Sequence, residues 1–387
     1  MDYRKFQADH LFTGTEMLGK EYALIVSKNG TVEEIIKATD AGDGIQYFNG
    51  MLSPGFINCH CHLELSHMKN LLPEKTGLVD FVFNVVTQRH FPEEEILDAI
   101  TKAEDEMFEN GIVAVGDICN NVLTLAQKSK RRIHYYNFIE ASGWLPNVAG
   151  QRFTRSKEYY DAFIAQFPST SLSPHAPYSV SDELWNYLIP FFQNKTITIH
   201  NQETSFEDEF FINGTGDLTR MYQKMNMDIS FFNPTNKSSL QSTLPKLSNA
   251  ENVLLVHNTF MKEEDVKLVN GNGFFLCLCL NANQYIEEAT PPVELFRKHG
   301  CKMVVGTDSL ASNWSLNILD EIKTITKKFP SIPQTEILKW ATQNGAEALQ
   351  MQDQLGSFEK GKRPGIVFIE KITNEMIDKD AVSRRIL

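Results

Sequence analysis

Short apolar runs and longer mixed stretches alternate along the middle of the chain. The runs are rich in β-branched and aromatic residues, whereas the mixed stretches repeat apolar residues at spacings of three and four. Candidate strands are Gly55–His60, Ile112–Gly116, Ile133–Ile139, Ser171–Pro174, Thr196–His200, Val253–His257, Phe274–Leu280 and Lys302–Gly306. Strands separated by helical intervals predict an α/β fold with a parallel sheet, and closing eight of them gives a (β/α)8 TIM barrel. Phe91–Gly111 shows one interval: Pro92 stands near its start, Ile96, Ile100, Ala103 and Met107 make an apolar stripe, and Gly111 ends it. Its acids, Glu93, Glu94, Glu95, Asp98, Glu104, Asp105, Glu106 and Glu109, read as a solvated face.

The two ends have a different rhythm. Tyr22–Val26 and Val32–Ile36 flank Asn29-Gly30, a strong hairpin turn, and Gly365–Glu370 is strand-like after Gly361-Lys362-Arg363-Pro364. The expected organisation is a small discontinuous β-sandwich domain from residues 1–53 and 356–387, around a barrel of residues 54–355. One interval is unusually long. Between His200 and His257 the chain passes through Phe206–Phe211, Gly214-Thr215-Gly216 and Phe231–Pro234. Loops after barrel strands build the active-site face, so this insert is expected either to wall a pocket or to pack as an extra helix outside.

Composition narrows the function classes. The 387 residues are 42% hydrophobic and 22% charged, which is ordinary for a globular chain. A net charge of −12 repels phosphate backbones and argues against nucleic acid as a partner. No apolar run approaches the roughly 18 residues of a membrane span, and Met1–Phe12 has no secretory pattern. Cys59, Cys61, Cys119, Cys277, Cys279 and Cys301 are too scattered for a disulfide framework and read as small buried side chains. A reducing cytoplasm is the expected location.

Five of the ten histidines, His60, His62, His175, His200 and His257, fall at or just beyond the C-terminal ends of candidate strands. Barrel enzymes draw their catalytic residues from those ends. His60-x-His62 puts two imidazoles on one face of a strand, facing one ion. Asp308 follows the last strand in Gly306-Thr307-Asp308-Ser309. Three imidazoles and one carboxylate suit a single divalent metal ion, zinc or ferrous iron.

Pro54–His62, Ile199–Glu203, Leu255–His257 and Val305–Ser309, with Asn344-Gly345-Ala346 and Leu355-Gly356-Ser357 towards the end, resemble the amidohydrolase superfamily in order and spacing. The resemblance covers nearly the whole chain. It implies, by analogy with the mononuclear branch that deaminates aromatic rings, that His60, His62, His200 and Asp308 bind the metal. It also implies that Glu203 shuttles protons, that His257 helps polarise the attacking water, and that His257 and Asp308 accept or steer its proton. A carboxylate beside such a site can carry a proton from water to a ring nitrogen. His175, in Ser173-Pro174-His175-Ala176-Pro177-Tyr178-Ser179, is similar to a substrate-contacting motif of nucleoside-type deaminases. No lysine stands in Thr170–Ser179 to bridge two ions.

Two departures bear on the substrate. Where many relatives read Cys-Pro-x-Ser-Asn, this chain has Cys279-Leu280-Asn281-Ala282-Asn283, which keeps Asn283 as a substrate candidate. Glu64, in His62-Leu63-Glu64, resembles the His-Leu-Glu of aminofutalosine deaminases and points to an adenine-bearing small molecule. The leading expectation is hydrolytic deamination of an aminated purine or nucleoside-like heterocycle. Alternatives are hydrolysis of a cyclic amide or of a ring carbon–nitrogen or carbon–halide bond in a non-nucleoside compound, and a barrel that has lost its chemistry. The sequence does not give the oligomeric state, although relatives commonly form homodimers.

Overall fold

The computed structural model describes residues 3–271 and 273–387. Eight strands of the middle segment form two parallel sheets of four. The first sheet holds β1 (Phe56–Cys61), β2 (Ile112–Cys119), β3 (His134–Ala141) and β4 (Thr170–Pro174) in that order. The second holds β5 (Thr196–Asn201), β6 (Asn252–His257), β7 (Phe274–Leu278) and β8 (Lys302–Val305). All eight candidate strands are therefore present, with ends shifted by a few residues.

Alternation along each strand divides its side chains between two cores. Ile57, Ala114, Phe138, Leu254, Val256, Phe275 and Val304 share one cluster to which both sheets contribute. Their neighbours Phe56, Val115, Ile139, Leu255, Leu276 and Val305 pack outward, with helical residues such as Ile100, Met107, Ile322 and Ile325. Burial on both faces explains why these strands read as nearly continuous apolar runs. Both seams between the sheets carry backbone hydrogen bonds. The His60 carbonyl accepts from the Asp308 N–H at 2.9 Å, and the His175 carbonyl accepts from the His200 N–H at 2.9 Å. Helix Glu93–Glu109 buries Ile96, Ile100, Ala103 and Met107, the stripe read from the sequence.

Both ends of the chain enter one seven-stranded sheet. Its order is Ser383–Arg385, Ile366–Ile369, Ile45–Pro54, Tyr3–Phe12, Tyr22–Ser27 and Val32–Lys37, with Met17–Gly19 beside Tyr3–Phe12. Strand Ile45–Pro54 runs almost directly into β1 through Gly55, where a Cβ would lie 2.2 Å from a Val113 methyl and 2.7 Å from the Pro364 carbonyl oxygen. That close approach excludes any larger residue.

A buried ion pair fixes the turn after His62. Lys128 Nζ stands 2.5 Å from Asp117 Oδ2, with both side chains fully buried. Asp117 Oδ1 accepts the Leu63 N–H at 2.8 Å, and Lys128 also donates to Asn137 Oδ1 at 2.8 Å. The six cysteines are free and buried, and burial pushes the Cys59 and Cys61 thiols well above their usual range. No helix among the described residues is long and apolar enough to cross a membrane.

Candidate active site

The strand-end residues converge. His60 and His62, two apart on β1 and its exit, bring their Nε2 atoms to 3.2 Å. Asp308 Oδ1 lies 3.2 Å from His62 Nε2 and 3.6 Å from His60 Nε2. The His200 ring sits 5.0 Å from that of His60 and 5.4 Å from that of His257, centroid to centroid. His60, His62 and His200 each offer a nitrogen, all within 4.8 Å of one another.

Outer contacts set which ring nitrogen faces inward. His200 Nδ1 lies 2.8 Å from the His175 carbonyl oxygen, which can only accept, so Nδ1 carries the hydrogen and Nε2 keeps its lone pair. His257 Nδ1 is likewise 2.8 Å from Asn283 Oδ1, and its bare Nε2 stands 3.6 Å from Glu203 Oε1. Asp308 Oδ2 accepts from Ser312 Oγ at 2.7 Å, which leaves Oδ1 for the cluster. Gln202, His257 and Asp308 hold φ values of 43°, 72° and 60°, a region that non-glycine residues rarely occupy. Such backbone persists only where surrounding structure enforces it, and here it re-aims side chains at strand ends.

Electrostatics suits the same arrangement. Burial lowers the His62 pKa to about 4 and holds those of His200 and His257 below the ordinary value, so these imidazoles keep lone pairs at neutral pH. Burial opposes ionisation of Asp308, but a hydrogen bond to His60 and the charges of His62, His257 and His60 outweigh it and keep the group well below the carboxylate range. Glu203 goes the other way: burial, reinforced by Asp308 and Glu287, lifts its carboxyl well above that range. A cluster of inward lone pairs around one carboxylate is poorly satisfied by its own members. The Nε2 atoms of His60 and His62 cannot both donate across the same gap, and His60 Nδ1 is buried without a hydrogen-bond partner. A divalent cation fits this donor set of nitrogens and one carboxylate oxygen.

The cluster floors a cavity of about 370 Å³. Its walls are Leu78, Phe81, Val82 and Val85 of helix Leu78–Gln88, facing Met221 and Tyr222 of helix Leu218–Lys224 and the nearby Met225 and Met227. The long insert after His200 therefore walls the pocket, the first of the two arrangements expected for it. His175 lines the same cavity, its Nδ1 2.8 Å from Ser179 Oγ. Glu64 lies behind the wall: its oxygens accept from Arg89 Nη2 at 2.8 Å and from the Asn120 N–H at 3.0 Å, and it is Arg89 and Asn120 that reach the cavity. Asn283 also lies one step back, against His257.

Sequence reasoning missed Glu207. It is fully buried, and its two oxygens accept the N–H of Gln202 at 3.0 Å and of Glu203 at 3.3 Å. An acid in a first helical turn is favoured anyway, so its position four residues after Glu203 carried no distinguishing signal. Ser312 and Glu140 were missed for a similar reason, because polar residues on loops and strand ends are common.

Parallel strands of this order, closed over by helices and carrying an imidazole–carboxylate cluster at their C-terminal ends, define a metal-dependent hydrolase class. Residues 51–387 match the amidohydrolase family, and the chain belongs to that family. It is 27% identical over 346 residues to a protein named adenosine deaminase from Helicobacter pylori, covering 85% of this chain and 82% of that one. Among solved structures, Helicobacter pylori aminofutalosine deaminase in complex with methylthio-coformycin superposes with a TM-score of 0.80 at 24% identity, covering 96% of this chain and 94% of that one. An adenosine deaminase from Xanthomonas campestris with bound zinc superposes at 0.71 and 20% identity, covering 95% and 84%. The family resemblance read from the motifs is thereby confirmed.

Proposed function

We propose that this protein hydrolytically deaminates an amino-substituted purine nucleoside and releases ammonia. The observation that carries the reading is Glu203, buried beside the imidazole–carboxylate cluster and 3.6 Å from His257 Nε2, at the floor of a cavity large enough for a nucleoside. The relatives named as deaminases of adenosine-like compounds point to the same chemistry.

His60, His62, His200 and Asp308 would hold one divalent ion, and zinc suits the nitrogen-rich set and is bound in a similar structure. When bound, such an ion lowers the pKa of its water to roughly 7. The chain's own groups then manage the protons. His257 Nε2, bare because Nδ1 donates to Asn283, accepts a proton from the attacking water. Glu203, whose protonated form burial favours, donates to the ring nitrogen beside the carbon that carries the amine. Water adds to that carbon, the proton held by His257 passes to the amine, which leaves as ammonia, and the new hydroxyl gives its proton back to Glu203 as the ring carbonyl forms. His175 faces the substrate from β4's exit, whereas Glu64 acts through Arg89 and Asn283 through His257.

The eight strands are read as one closed barrel, the hydrogen-bonded seams at His60–Asp308 and His175–His200 joining the two sheets. Residues 1–53 and 356–387 are read as a separate accessory unit. The test is a screen of amino-heterocycles and nucleosides for ammonia release, using zinc-loaded protein. Turnover of an amino-purine nucleoside is expected. Activity on lactams or ring halides with none on any amino-heterocycle would replace this reading.

A further inference from the structure

Glu140 is a cavity wall residue with a vacancy in its hydrogen bonding. It stands near the end of β3 with 7% of its surface exposed. Oε2 accepts from Asn120 Nδ2 at 2.9 Å. Oε1 is 3.8 Å from His200 Nδ1, beyond hydrogen-bond distance, and that nitrogen's hydrogen is already given to the His175 carbonyl at 2.8 Å. Among the described residues, no donor reaches Oε1. Glu140 and its neighbours Asn120, His175 and His200 all line the cavity that Glu203 floors.

Glu140 lines the cavity, so its unpaired oxygen is open to a hydrogen-bond donor on a bound molecule. The substrate read for this site narrows what that can be. On an aminopurine nucleoside the exocyclic amine belongs at the reacting end, beside Glu203 and His257. The remaining edges of the base, N1, N3, N7, C2 and C8, carry no hydrogen-bond donor. Every other donor is a sugar hydroxyl. A carboxylate with one free oxygen and spare lone pairs on the other matches two adjacent hydroxyls, as Arg–carboxylate pairs match in the reverse sense.

Resting on the deaminase reading, we propose that Glu140 accepts hydrogen bonds from the vicinal 2′- and 3′-hydroxyls of the substrate's ribose and so selects ribonucleosides. A second metal ion on Glu140, His175 and His200 is the competing use of the same residues, which lie within 4.8 Å of one another. It is disfavoured because His200 Nδ1 is committed as a donor, leaving that group short of one ligand.

The test compares kcat/KM for adenosine, 2′-deoxyadenosine, 3′-deoxyadenosine and 5′-deoxyadenosine, on the zinc-loaded wild type, Glu140→Gln and Glu140→Leu. In the wild type, loss of the 2′- or 3′-hydroxyl should cost about 10- to 100-fold, the usual worth of a hydrogen bond to a charged group. In Glu140→Gln and Glu140→Leu that penalty should shrink to a few-fold, with the 5′-deoxyadenosine ratio and the zinc content unchanged. Equal wild-type turnover of the 2′- and 3′-deoxy compounds overturns the assignment without any variant having to fold. Full discrimination surviving in Glu140→Gln, or loss of a second zinc equivalent there, overturns it too. If no amino-purine nucleoside is deaminated, the deaminase reading itself falls, a result distinct from nucleosides turned over without regard to their sugar.

Discussion

The Nδ1 hydrogen of His200 is held at 2.8 Å by the backbone carbonyl of His175, one strand away. This contact ties the tautomer of a proposed metal ligand to the loop that carries a proposed substrate contact. The same carbonyl accepts the His200 N–H across a seam between the two sheets, so the site and the joining of the sheets share one acceptor.

Metal content should follow the cluster. Wild-type protein is expected to bind one divalent equivalent per chain, and His60→Ala or His200→Ala should lose metal and activity together. Elemental analysis of dialysed protein measures this, and two full equivalents would contradict a single-ion site.

Glu203→Gln should retain metal and fold while turnover falls about 10²–10⁴-fold, the typical contribution of a placed acid or base. Near-normal turnover would move proton transfer to another group.

Glu207 positions Glu203 through the backbone, so Glu207→Ala should lower kcat more than it changes KM while metal content stays at the wild-type level. Leaving buried N–H groups unpaired should also cost about 1–3 kcal/mol of stability each. A variant with reduced melting temperature but unaltered kcat would make Glu207 structural only.

Lys128→Met strands Asp117 in the interior and should destabilise the protein by about 3–5 kcal/mol. Denaturant unfolding reads the loss. Adding Asp117→Asn should recover part of it, since the orphaned charge is then gone.

Stability should decline as pH rises towards 9. Burial pushes the Glu321 carboxyl up to about 8, although it accepts from the Asn281 N–H and Asn313 Nδ2. Between the ordinary carboxylate range and pH 8 the folded state keeps a proton that the unfolded chain releases. Unfolding therefore becomes easier with each rise in pH, and the slope flattens above the folded pKa. Melting temperatures across pH 5–9 should show this fall, with a shallower slope in Glu321→Gln. Identical slopes would remove Glu321 from the account.

The strands were legible because parallel strands buried on both faces leave near-continuous apolar runs, as at Val253–His257. The ligand candidates were legible because His60 and His62 obey the strand period and Asp308 follows a strand end. Glu64 and Asn283 show where reading residues in order stops. Both lie one step behind the cavity, because Arg89 and His257, partners 25 and 26 residues away in sequence, stand in front of them. Glu140 gave no signal, because a polar residue near a strand end is common.

Strand Ile366–Ile369 lies between Ser383–Arg385 and Ile45–Pro54, and Ile45–Pro54 continues through Gly55 into the strand bearing His60. During synthesis, residues 45–62 leave the ribosome long before their neighbour at 366–369 exists. The first half of the site thus waits, with one sheet edge open, for nearly the whole chain to be made. Strand pairing at that edge acts as a late checkpoint: a nascent or truncated chain lacking 366–369 exposes an unpaired β edge next to the strand that carries His60, where chaperones or proteases can recognise an unfinished molecule.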